Sequence, residues 1–296
     1  MTGLRHWHPR RVRLCLGEMT RSRKTALLLL LAGCVTSTPQ QAAPPDVVDA
    51  GSPDAGLEDA PIQVEAAPPQ SDAAFRQLFD GKDLAGWDRY LGIPVGESVP
   101  LGLENDPRGV FSVTTVDGEP AIHITGEVWG ALISKEELSD FELRLEYKWG
   151  DRSWPPLNFK DSGVMVLSTG PFGAVNAGGD ALSNPAGSGA FMVSVEFQIA
   201  VGDIGGLYNL GPISMQKTPR APLAEIPSAW NHVTIVVRGA SSQHFLNGQL
   251  VTSASGYETH WPGQPVLPLT RGKIQLQSEG GEIYFRHVEV RDSTGP

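Results

Sequence analysis

The sequence predicts an all-β fold, two antiparallel sheets packed face to face, from about residue 73 onward. Three observations predict it. Apolar residues recur with a period of two from Val110 on, with no helical repeat of ten residues. Asp117-Gly118 and Asn247-Gly248 sit between apolar runs, the composition of two-residue hairpin turns, in which both central residues need positive φ. Gly and Pro also recur at short intervals, as connections between many short strands require.

The first 72 residues are unfit for a core. Arg21, Arg23 and Lys24 precede an apolar run from Ala26 to Ala32 that closes on Leu31-Ala32-Gly33-Cys34. Seven apolar residues fall well short of a hydrocarbon layer about 30 Å thick, so residues 1–34 read as a signal peptide. Leu-Ala-Gly-Cys resembles the lipobox of bacterial lipoproteins, which implies a lipid anchor on Cys34 and a place in the cell envelope. Val35 stands where an inner-membrane retention signal would have Asp, so the expected site is the outer membrane, on its periplasmic face or at the cell surface. Residues 1–18 are surplus to such a leader and Met19 opens a compact one, so the start at Met1 or Met19 stays open. Residues 35–72 are mostly Pro, Ala, Asp, Ser and Gln and contain no aromatic residue. That composition cannot offset ordering entropy and predicts a disordered linker.

Charge separates the same regions. Residues 1–24 carry seven Lys or Arg against one Glu, and residues 35–72 carry seven acids and no base. Of the formal charge of −10, the part from residue 73 on accounts for −9. It has no basic cluster, which argues against a nucleic-acid partner. Cys15 and Cys34 are the only cysteines, so no disulfide staples the domain.

Within the predicted domain, residues 73–293, the strands follow in order. Phe141, Leu143, Leu145, Tyr147 and Trp149 share one face of a strand, and Glu142, Arg144, Glu146 and Lys148 share the other. Gly170 to Gly189, rich in Gly, Ala, Ser and Asn, reads as a long surface loop of the kind that borders sites. Ser194 to Ile199 alternates again, with Val195, Phe197 and Ile199 inward and Glu196 and Gln198 outward. In Lys273 to Gln277, Ile274 and Leu276 point in and Gln275 and Gln277 point out. Ile283 and Phe285 differ in parity from Val288 and Val290, so a β-bulge at Arg286-His287 is expected.

These segments resemble a known family. Leu78-Phe79-Asp80-Gly81-Lys82-Asp83-Leu84 with Gly86-Trp87, Asp140-Phe141-Glu142-Leu143, Asp161-Ser162-Gly163-Val164, Glu196-Phe197-Gln198-Ile199, Gly206-Leu207-Tyr208, Trp230-Asn231, Leu246-Asn247-Gly248, and Leu276-Gln277 with Phe285-Arg286 are similar, in order, to the 3-keto-disaccharide hydrolase domain family. The resemblance implies a concanavalin A-like jelly roll and a carbohydrate partner, a disaccharide or glycan. The chain departs from the family pattern at Asp161, usually Asn, at Leu167 and Ser168, where an Arg is missing, and at Ala200, often acidic.

Ordinary glycoside hydrolysis needs two carboxylates. Here the residue two beyond Glu196 is Gln198, not a second acid. A 3-keto sugar changes the demand, because its carbonyl acidifies the C2 hydrogen and one base suffices. The resemblance thus implies a glycoside-cleaving hydrolase with Glu196 as catalytic base or acid, and Gln198, Gln277 and Arg286 as substrate-binding or oxyanion-stabilising groups. Trp154 and Trp261, held in loops by Pro155-Pro156 and Pro262, are candidates to stack on a sugar ring; Trp87, Trp149 and Trp230 read as packing residues. No histidine pair has metal-ligand spacing, while calcium held by loop oxygens around Asp151, Asp161 or Asp203 stays open. The alternative is a tethered, non-catalytic glycan-binding module, since jelly rolls host both.

Overall fold

The long alternating strand becomes the spine of one sheet. In the computed structural model, which describes residues 74–176, 189–222 and 225–293, Phe141–Ser153 lies between Asn231–Arg238 and Gly281–Asp292 in a ten-strand antiparallel sheet. The leader, Cys34 and the linker lie outside the described residues, as does 177–188, the middle of the predicted Gly170 to Gly189 loop. Leu145 faces Val233, Leu143 faces Ile235 and Val290, and Phe285 faces Tyr147, and all of them are buried in a single apolar core. On the opposite face the alternate residues are paired ions. Glu142 binds Arg291 at 2.5 Å, Glu146 binds Arg286 at 2.6 Å, and Lys148 binds Asp117 at 2.9 Å.

The second sheet has eight strands, with Val193–Ala200, Asp161–Thr169 and Arg271–Ser278 adjacent at its centre. Val195, Phe197, Ile199, Val164, Val166, Ile274 and Leu276 are buried and belong to the shared core. The fold is an all-β jelly-roll sandwich, and the described residues contain no helix. Both predicted hairpins form. Asp117-Gly118 joins Phe111–Val116 to Glu119–Ile124, and Asn247-Gly248 joins Ser241–Leu246 to Gln249–Thr259, with all four turn residues at positive φ. The expected bulge is present: the register shifts between Arg286 and Glu289, and His287 has φ +49°. The extra residue returns Val288 and Val290 to the core face.

Candidate active site

The three central strands of the eight-strand sheet put one row of side chains over their outer face. Gln198 lies opposite Gly163. The next residue pairs, Phe197 with Val164 and Val164 with Leu276, set the register that brings Gln277 alongside Gly163 from the other side. Glu196, two residues from Gln198, leans over the same glycine. A Cβ on Gly163 would lie 2.5 Å from Glu196 Oε1 and 2.9 Å from Gln277 Oε1. Only a residue without a side chain lets the carboxylate and the amide converge above the middle strand.

These groups line a pocket of about 400 Å³ with Asp161, Glu279, Asp203, Tyr208 and Trp129. Period two explains two of the additions. Asp161 shares the parity of Gly163, and Glu279 continues that of Gln277, so alternation alone could have nominated both. Trp129, just before the strand Gly130–Ser134, carried no signal of this kind.

The outward parity of Glu196 holds, but its expected hydration does not: it is 3% exposed, and Gln277 is 1% exposed. Trp129, Leu157, Phe191 and Leu210 cover this face of the sheet, so both faces of the central strands are buried. Burial pushes the Glu196 carboxyl up to about 8; the charges of Asp161 and Asp203 act in the same direction and the Gln277 amide opposes them. Burial likewise pushes Asp161 up to about 7, against the Ser162 backbone N–H and with help from Asp203. Glu279 is raised well above the usual carboxylate range by burial and by Glu196 and Asp161. Asp203 accepts hydrogen bonds from Arg220 at 2.5 Å and from the Tyr208 hydroxyl at 2.5 Å.

Among the described residues, five buried polar atoms of the pocket lack a protein partner. They are the acceptors Glu196 Oε1, Asp161 Oδ1, Gln198 Oε1 and Gln277 Oε1, and one donor, Trp129 Nε1. Unsatisfied buried groups are costly and rare. Gathered in one pocket, they offer four acceptors and one donor, a set that a ligand with several hydroxyl groups and an acceptor oxygen can satisfy.

Three candidates lie elsewhere. Arg286 is on the outer face of the ten-strand sheet, across the apolar core from Glu196. There its guanidinium binds Glu146 and Glu119 and stacks 4.0 Å from the Trp230 ring centroid. Parity explains the correction, since both sheets turn apolar residues toward each other and their polar faces point apart. Trp154 spends its indole N–H on the Thr125 carbonyl at 2.8 Å, and only Leu157 of its loop lines the pocket. Trp261 packs against the core beneath Gly170 and does not line the pocket either. The aromatic residues that do are Trp129, Phe191 and Tyr208. Among the described residues no three His, Cys, Asp or Glu side chains are arranged to hold a metal ion.

The sequence pattern of a family described as 3-keto-alpha-glucoside-1,2-lyase-like domain matches residues 74–291. No protein of curated function matches the chain. Among solved structures, a candidate glycosyl hydrolase of Parabacteroides distasonis is similar at 19% identity and TM-score 0.46, covering 74% of this chain and 93% of that one. A second from the same organism is 21% identical with TM-score 0.39, covering 61% and 89%. A Bacillus licheniformis beta-glucanase is 12% identical with TM-score 0.37, covering 77% and 100%.

Proposed function

The chain belongs to the 3-keto-alpha-glucoside-1,2-lyase-like domain family, and we propose that its pocket cleaves 3-keto-disaccharides or related glycosides by elimination, with Glu196 as the base. The observation that carries this reading is the buried Glu196 carboxyl, whose Oε1 has no protein partner, in a pocket that also holds the unpaired Trp129 N–H. In this scheme Glu196 takes the proton from C2. The C–H electron pair forms C2=C3, and the carbonyl pair moves onto the C3 oxygen, which accepts hydrogen bonds from Trp129 Nε1–H and the Gln277 amide. The oxyanion then re-forms C3=O, C1=C2 forms, and the C1–O bond breaks with its electrons on the departing oxygen. A protonated carboxyl of the pocket returns a proton to that oxygen. Water added across C1=C2 would make the net reaction a hydrolysis.

Glu196→Gln keeps the size of the side chain and removes the base. Turnover of a 3-keto-disaccharide should fall by about 10² to 10⁴, with a small change in affinity. Unchanged turnover would defeat the assignment; lost binding with an intact fold would favour the glycan-binding module. Loss of a C2 deuterium label to solvent, followed by mass, separates elimination from direct displacement at C1.

The lipobox-like Leu31 to Cys34 supports a second part of the reading, a lipid-tethered protein of the outer membrane. Cys34→Ser should abolish lipid labelling in a Gram-negative host. Equal labelling of wild type and variant would refute the anchor.

A further inference from the structure

The charge balance of the pocket restricts the sugar it can take. Glu196, Asp161 and Glu279 are each at most 9% exposed, and among the described residues the pocket lining contains no Lys, Arg or His. Two cations near the mouth are engaged elsewhere. Arg220 is bound to Asp203 and to the Ile204 carbonyl, and Lys217 donates to the Leu207 carbonyl and lies 5.1 Å from the Tyr208 ring centroid. Among the described residues, no cation acts on any of the three inner carboxyls. Oε1 of Glu196 and Oδ1 of Asp161 are acceptors without a donor, and the two glutamine amides can present either end to a ligand.

A hydroxyl-bearing ring satisfies such a lining. A ring bearing carboxylate, sulfate or phosphate would bring into a low-dielectric pocket a charge that no guanidinium or ammonium receives, and every pocket carboxyl that has lost its proton adds a weakly screened repulsion. We propose that this pocket selects uncharged glycosides and rejects anionic ones such as uronides, with Asp161 and Glu279 as the specificity-determining residues. This rests on the reading of the pocket as a sugar site. Asp161 and Glu279 flank Glu196, so they set the charge of the cavity even where they make no bond to the ring.

The test uses the full-length protein, a 3-keto-glucoside, and the matching 3-keto-glucuronide, which differs only in its C6 carboxylate. Binding is measured at pH 8 by calorimetry on the Glu196→Gln variant, so that neither probe is consumed. The glucoside is expected to bind at least about tenfold more tightly, a gap of about 1.4 kcal/mol. Adding Asp161→Asn and Glu279→Gln should narrow the gap to about twofold by strengthening glucuronide binding. Equal affinities before those changes overturn the proposal without touching the sugar-site reading. A gap that persists in a folded triple variant overturns it too, since shape and not charge would then be the cause. If neither probe binds, the sugar-site reading falls and this inference falls with it. Should the triple variant fail to fold, Asp161→Asn alone, added to Glu196→Gln, must still reduce the gap.

Discussion

Gly163 is as necessary to the site as the groups above it. Its missing side chain is the space into which Glu196 Oε1 and Gln277 Oε1 converge. In Gly163→Ala the new methyl must displace both groups inside a closed cavity. Turnover should fall at least tenfold, since misplacing a reacting group by about 1 Å can cost about 10². The melting temperature should change little, because the strand remains paired on both sides. An alanine variant with wild-type kcat/KM would show that the close approach is unimportant. The pH profile belongs to the same scale. Glu196 must lose its proton to act as a base, and its carboxyl sits at about 8. Activity should therefore rise from pH 6 toward pH 8.

Strands decide which residues share a face. Leu145 and Phe197 lie on the inward faces of the two sheets, both buried, and Phe197 stacks on His244 with centroids 5.7 Å apart. Leu145→Ala or Phe197→Ala should destabilise by about 2 to 5 kcal/mol in a denaturant titration. Arg144→Ala should cost less than about 1 kcal/mol. Arg144 is on the outer face, and its ion pair with Glu142 at 2.6 Å is partly exposed. Comparable losses at all three positions would contradict the sandwich. The bulge at His287 acts at this scale too. It keeps the end of the strand Gly281–Asp292 in the core and leaves Arg286 facing outward, where Glu146 and Trp230 hold it.

For the domain as a whole, buried acids make stability depend on pH. Asp161 and Glu196 keep their protons in the fold at pH values where the unfolded chain has lost them. Their stabilising contribution is complete below about pH 4. It is lost as the pH rises through about 7 for Asp161 and about 8 for Glu196. The melting temperature should fall by about 10 °C or more between pH 5.5 and pH 8.5 from this source. The double variant Asp161→Asn, Glu196→Gln should flatten the decline; an equal slope in the variant would mean that other groups dominate. Glu146 works in the opposite sense. Burial would raise it, but Arg286, His232 and His287 hold it below the usual carboxylate range, so its contribution is lost at acid pH.

Alternation, hairpin dipeptides and the parity break near Arg286 are local signals, set by side-chain direction and backbone sterics over a few residues. The sequence by itself therefore determined the strands, both tight turns, the bulge and the outward direction of Glu196, Gln198 and Gln277. It could not say which outward residues meet, because two sheets have two outer faces and a single strand does not specify its sheet. Register and sheet order placed Arg286 across the core from Glu196 and placed Asp161 and Glu279 beside it. Tertiary structure alone also covered Glu196 with Trp129, Leu157, Phe191 and Leu210. An outward residue of a half-exposed strand thereby became a buried carboxyl, since removing water penalises charge far more than any neighbour in sequence can reveal.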